Sequence, residues 1–140
     1  MTLQEALALV GSQRAGVLVT LRRDGRPQTS NVVYAVQENQ VRISVTKDRA
    51  KTRNLRRDPR AVLHVTTPDQ AAWAAVDGTV TLSPTSSAPG DDTGKALAEL
   101  YTAIAGQAHP DWQEYHRAMV EERRLLVTLT VTCGYGGRAG

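Results

Sequence analysis

Eight of the seventeen Lys and Arg residues of this chain fall between Val41 and Arg60, and only Asp48 and Asp58 oppose them. Side chains of this type, gathered so closely, hold anions. Within the run VRISVTKDRAKTRNLRRDPR, Val41, Ile43 and Val45 alternate as in a strand, Lys47-Asp48 reads as a turn, and a short helical pattern ends at Asp58-Pro59. Lys47, Arg49 and Lys51 therefore gather around a helix N-terminus, where free backbone N–H groups already carry partial positive charge. Cations repel one another there unless an anion binds. A phosphate held by those N–H groups and flanked by Lys and Arg would make the placement favourable. A solvated basic face with no ligand is the other reading of such a run.

The remaining chemistry-bearing residues are few. His64, His109 and His116 are the only histidines and Cys133 the only cysteine, with no HExxH, CxxC or paired-His spacing, so no metal site is expected. Nucleophile-elbow, Walker A and GxGxxG patterns are absent. His64 alternates within an apolar stretch and reads as a satisfied buried or interfacial histidine, and Cys133 reads as packing. An enzyme with so few titratable groups works through a bound cofactor that carries the reactive atom, while the protein supplies anchoring and electrostatics.

The elements that would position the basic run are legible from pattern. Thr2 to Glu5 fits a capping box, and Leu3, Ala6, Leu7 and Val10 recur at helical spacing up to Gly11. From Ala15 the period becomes that of a strand, a turn at Arg23-Asp24-Gly25-Arg26 follows, and Gln28 to Gln37 reads as the hairpin partner. Further strands are expected at Val41–Thr46, Ala61–Thr66, Trp73–Leu82 and Leu125–Thr132, with a bulge or close backbone approach at Gly78. Helices are expected after Asp91-Asp92-Thr93 and near Pro110. About six strands joined by hairpins rather than by βαβ units argue for a mostly antiparallel β-barrel with helices packed on it. Open strand edges in so small a barrel favour a homodimer.

At 140 residues, with 41% hydrophobic and 22% charged residues, the chain reads as a single domain spanning 1–140. It contains no Phe, so its core must be built from Val, Leu, Ile and Ala. No stretch suits a membrane span or a signal peptide, which makes a cytoplasmic location the expectation. The net charge of +3 permits nucleic-acid binding, but the basic patch lacks interleaved aromatic residues for base stacking, and nucleic acid is not the expected partner.

The order of these pieces resembles a known family. Arg22-Arg23-Asp24-Gly25-Arg26-Pro27-Gln28 with Ser30-Asn31, then Arg49-Ala50-Lys51-Thr52-Arg53-Asn54-Leu55 and Asp58-Pro59-Arg60, are similar to the pyridoxamine 5′-phosphate oxidase-like flavin and deazaflavin proteins. The RAKTRNLRRDPR run, Gly78-Thr79, Asp91-Asp92-Thr93 and Asp111-Trp112 with Arg117 to Val120 resemble the actinobacterial branch that binds coenzyme F420. The resemblance implies an FMN-binding-type split β-barrel, homodimeric, with a cofactor site at the dimer interface. It places the cofactor phosphate against Arg49 and Lys51, with Thr46, Thr52 and Asn54 as hydrogen-bonding neighbours, Asn31 beneath the ring system and Trp73 toward the cleft.

The implied activity is hydride transfer between coenzyme F420 and a small conjugated organic substrate; an FMN-binding protein and a non-catalytic deazaflavin carrier are the alternatives. Arg53, Arg56 and Arg57 exceed what one phosphate needs and favour the more anionic deazaflavin with its oligoglutamate tail. The ending Thr132-Cys133-Gly134-Tyr135-Gly136-Gly137-Arg138 lacks the Trp and Arg/His groups with which pyridoxamine phosphate oxidases close their pocket, so vitamin B6 oxidation is not implied. This Gly-rich end is expected to be mobile and to gate the pocket.

Overall fold

A computed structural model describes residues 1–139. Helix α1 (Leu3–Gly11) begins at the expected capping box: the Thr2 hydroxyl accepts from the Glu5 N–H, and the Glu5 carboxylate accepts from the Thr2 N–H. Strands β1 (Ala15–Leu21) and β2 (Pro27–Val33) form the hairpin, with Gly25 supplying the positive φ its turn requires. The run to Gln37 is not one strand. It breaks at Tyr34, and β3 (Ala35–Gln37) starts afresh against β4 (Gln40–Thr46). Helix α2 (Ala50–Arg57), strands β5 (Arg60–Thr66) and β6 (Ala72–Leu82), helices α3 (Asp92–Ala105) and α4 (Trp112–Glu121), and strand β7 (Arg124–Arg138) complete the described chain.

The strands form one antiparallel sheet of seven in the order β2-β1-β5-β6-β7-β4-β3. Its two edge strands, β2 and β3, are consecutive in the chain with only Tyr34 between them. The sheet must therefore curl until its edges meet at that corner, which produces a barrel left split where β2 and β4 diverge. Tyr34 pins the corner: it is 1% exposed, and its hydroxyl donates to the Val10 carbonyl at 2.6 Å. Burial pushes its phenol well above the ordinary tyrosine range.

Strict alternation fills the interior. Val41, Ile43 and Val45 of β4, Leu63 and Val65 of β5, and Leu125, Val127 and Leu129 of β7 point inward among other aliphatic residues. This is the Phe-free core the composition demanded. Gly78 carries the expected bulge: the β6–β7 register shifts there, and a Cβ would collide with the Thr130 carbonyl.

The Gly-rich end departs from expectation. It continues β7 as a paired strand, with Ala74 opposite Gly136, Trp73 opposite Gly137 and Ala72 opposite Arg138. The reason is crowding rather than mobility: a side chain at Gly134 would press on Leu3 and Ala6 of α1, and one at Gly136 on the backbone of Trp73.

Helices α3 and α4 form a satellite layer over β7, with Leu97, Tyr115 and Met119 packing against Leu126. The Tyr115 hydroxyl donates to the Leu97 carbonyl at 2.8 Å, joining the two helices. Asp91 caps α3 by accepting from the Gly94 N–H at 2.8 Å, and also receives the Ser86 hydroxyl and the Ser87 and Ala88 N–H groups. No helix among the described residues is long and apolar enough to cross a membrane, and no three or more His, Cys, Asp and Glu side chains among them are grouped so as to hold a metal ion.

Candidate functional site

The split in the barrel opens a cleft of about 700 Å³. One wall is the start of β1 and the end of β2, Ala15 to Val17 and Asn31 to Val33; the other is Ser44 to Thr46 at the end of β4, where the chain turns into α2. Arg49, Lys51 and Arg124 converge on it, and no carboxylate lines it among the described residues. Arg49 occupies the N-cap of α2 without making a side-chain capping bond, so the first-turn N–H groups lack a side-chain acceptor. The cationic end of the helix and three cationic side chains thus share one concavity.

The electrostatics of this cluster are strained. Lys51 is held below its ordinary pKa first by burial, then by the charges of Arg49 and Arg124. Arg124 is partly tethered, with its guanidinium paired to Glu122 at 3.0 Å and donating to the Ser44 hydroxyl at 3.3 Å. An anion in the cleft would relieve the repulsion that Lys51 feels.

The residues singled out in the sequence divide in the fold. Asn31, Thr46, Arg49 and Lys51 line the cleft together. Thr52 and Asn54 do not face it. Thr52 is fully buried and its hydroxyl donates to the Thr46 carbonyl at 2.7 Å, fastening α2 to the end of β4. Asn54 is 6% exposed; its amide donates to the Thr20 hydroxyl at 3.1 Å and to Gln28 at 2.8 Å, and its carbonyl oxygen accepts from Arg57. Both turn inward beside the buried Leu55, and their hydrogen bonds hold α2 to the end of β4 and to the β1–β2 hairpin. Trp73 stands beside the cleft rather than in its lining: it stacks on His64 with ring centroids 5.5 Å apart and meets the edge of Tyr135 at 6.0 Å.

Ser44, His64 and Arg124 line the cleft without having been singled out for it. A usable signal existed for His64, since the alternation of β5 that buries Ala61, Leu63 and Val65 sends His64 to the outer face. None existed for Arg124. It reaches the cleft because β4 pairs with β7 in a register that sets Thr46 opposite Arg124.

A second groove, of about 490 Å³, lies along the other flank of α2 and is lined by Arg23, Arg53, Arg56 and Arg57, again with no carboxylate in its lining among the described residues. Arg57 is fixed by the Leu21 carbonyl at 2.7 Å and by Asn54 at 3.1 Å.

The curled seven-stranded sheet and the cleft in its split define the class: a split barrel of the kind built by the pyridoxamine 5′-phosphate oxidases. A sequence model described as pyridoxamine 5′-phosphate oxidase matches residues 2–133, and the chain belongs to that family. Among solved structures, one described as an F420 reductase is 24% identical, with a TM-score of 0.67 over 91% of this chain and 94% of that one. A conserved hypothetical protein from Mycobacterium tuberculosis is 21% identical, with a TM-score of 0.76 over 99% of this chain and 85% of that one. A heme binding protein from Mycobacterium smegmatis is 22% identical, with a TM-score of 0.70 over 96% of this chain but only 53% of its own length. At these identities the likeness is one of fold.

Proposed function

We propose that the cleft holds the phosphate end of coenzyme F420 and that the protein is an oxidoreductase of the pyridoxamine 5′-phosphate oxidase family acting on a small conjugated organic substrate. Members of the family bind flavin-type cofactors. The observation that carries the reading is the convergence of Arg49, Lys51 and Arg124, with no carboxylate in the lining among the described residues, on the uncapped start of α2. That donor set suits a phosphate, which accepts charge-assisted hydrogen bonds from all of them at once. The groove of four arginines beside it favours the deazaflavin over FMN, because an oligoglutamate tail needs cations beyond those that hold one phosphate.

When bound, the deazaflavin supplies two-electron hydride transfer and reacts poorly with oxygen. The chain's own part is to anchor and shield. Arg49, Lys51 and Arg124 hold the phosphate, the Ser44 and Thr46 hydroxyls complete its shell, and Val17 and Val33 with Asn31 offer a mostly apolar wall to the ring system. A second copy of the chain completes the site. Val33, Trp73 and Tyr135 are 56%, 38% and 46% exposed on the outer face of the sheet, and half-buried Val17, Val19 and Val62 continue that face. A homodimer buries this patch and the cleft rim with it.

The test is a parallel fluorescence titration with coenzyme F420 and with FMN, for the wild type and for the Arg53→Gln/Arg56→Gln double variant. The expected result is tighter binding of coenzyme F420, with the double variant losing that preference while its FMN affinity is unchanged. Preference for FMN in the wild type would assign the cleft to the flavin alternative. Tight F420 binding without turnover on any conjugated acceptor would make the protein a carrier.

A further inference from the structure

The cleft carries one side chain that the anchoring of an anion does not use. His64 stands on the outer face of β5, and the strand pairings set Asn31, Val17, His64 and Ala75 in one row across β2, β1, β5 and β6. Its half-buried imidazole lies against the Trp73 ring, with centroids 5.5 Å apart and planes 23° apart, and the edge of Tyr135 backs Trp73 at 6.0 Å. That packing holds the imidazole by its face and leaves its edge free. Among the described residues neither ring nitrogen has a hydrogen-bond partner, and neither is closed off from solvent.

The other titratable groups in the lining are Arg49, Lys51 and Arg124, which gather at the start of α2. A guanidinium does not give up its proton in a protein, and Lys51 faces the phosphate end. Imidazole is the side chain that exchanges a proton near neutral pH. Its row with Asn31 and Val17 sets His64 at the wall assigned to the ring system, where hydride is exchanged, rather than at the phosphate. We propose, resting on the cofactor reading above, that His64 is the proton donor of the reaction in this cleft. Hydride arriving from the reduced deazaflavin at the β-carbon of a conjugated carbonyl brings two electrons and leaves negative charge on the α-carbon and oxygen. The His64 imidazolium neutralises that charge: its N–H bond breaks as the C–H bond at the α-carbon forms. The neutral imidazole left behind takes a new proton from water through the open side of the cleft.

Reduction of cyclohex-2-enone by reduced coenzyme F420 would be followed for the wild type, His64→Gln and His64→Ala. Both variants are expected to lose about 100-fold or more in kcat. The wild-type rate should fall as pH rises through the imidazole range, His64→Gln should show no such step, and added imidazole should restore His64→Ala. A cofactor-free readout uses the stack itself. Trp73 and Trp112 are the only tryptophans, and an imidazolium quenches an indole in contact with it. In Trp112→Phe, Trp73 emission should therefore drop as pH falls from about 8 to about 5, and the change should vanish in Trp112→Phe/His64→Gln. That double variant keeps the other titratable groups that face the stack, Arg49, Lys51 and Arg124 in the cleft, Tyr135 on β7 and Asp77 one row along β6, so it isolates the part of His64. An unchanged rate in His64→Gln, a loss with neither imidazole rescue nor an altered pH profile, or Trp73 emission that ignores pH would each overturn the assignment to His64. Failure of the wild type to bind coenzyme F420 or to reduce the enone would remove the cofactor reading itself and the proton donor with it.

Discussion

Replacing Lys51 by Met separates the cost of the cationic cluster from its use. In the ligand-free protein the Lys51 ammonium is disfavoured, first by burial and then by Arg49 and Arg124. Its pKa in the folded state therefore lies below the 10.5 of an unperturbed lysine. The charged form is the destabilised one, so the penalty is present at neutral pH and fades as pH rises through the folded value toward the unfolded one. Lys51→Met keeps the aliphatic stem and removes the charge. The apo protein should be as stable as the wild type or slightly more so, with a flatter stability profile on the alkaline side.

Cofactor binding should move the other way. One charge-assisted hydrogen bond to phosphate contributes about 1.5–3 kcal/mol. The half-buried position of Lys51 limits solvent screening, while Arg49 and Arg124 remain to hold the anion. Affinity should fall by about 10- to 150-fold. Urea unfolding across pH 7 to 10 and fluorescence titration with the cofactor read the two halves separately. Unchanged affinity would remove Lys51 from the anion site. A variant less stable than the wild type by more than about 1 kcal/mol would contradict the repulsion argument, since losing a strained charge should not cost that much.

Three further predictions concern the scaffold that aims the site. Tyr34→Phe removes the short bond to the Val10 carbonyl, which keeps only the longer one from the Gln13 N–H at 3.2 Å, and should cost about 1 kcal/mol in urea unfolding; an unchanged midpoint would mean that the corner is not pinned there. Gly78→Ala drives a methyl group into the Thr130 backbone and should cost about 2–3 kcal/mol or more, read by thermal melting; a near-neutral outcome would show that the bulge can relax. For Asp91, burial pushes the carboxyl pKa up, but hydrogen bonds from Ser87, Gly94, Ser86 and Ala88 outweigh it and bring the group to about 2. The folded value lies below the unfolded 3.8, so the stabilisation is present above about pH 4 and is lost as pH falls toward 2. The stability gap between wild type and Asp91→Asn should therefore close over that window, and a constant gap would refute the assignment.

Much of the fold was legible because its signals are local. The capping box of α1, the Asp24-Gly25 turn, the alternation of β4 and β5 and the bulge at Gly78 each depend on a few adjacent residues. Errors arose where a distant contact overrode a local one. Gln28 to Gln37 alternates like a single strand, yet Tyr34 is drawn inward to Val10 and breaks it. The glycines after Cys133 look like a loose end, yet they are small because α1 and Trp73 approach them closely.

The candidate site divides on the same physical line. The sequence by itself determined that an anion-attracting run ends a strand and begins a helix, because the charge pattern and the helix N-terminus lie within one continuous segment. Only the tertiary structure decided which side chains meet. Arg124 faces Lys51 through the β4–β7 register, His64 comes to the cleft through the β1–β5 pairing that sets it opposite Val17, and Arg23 joins the arginines of α2 from a distant hairpin. Thr52 and Asn54 sit in the same run as Lys51, but the rotation of α2 against the barrel turns them inward. Composition specifies which chemistry is available; the register of strands and the rotation of one short helix select the groups that share a cleft.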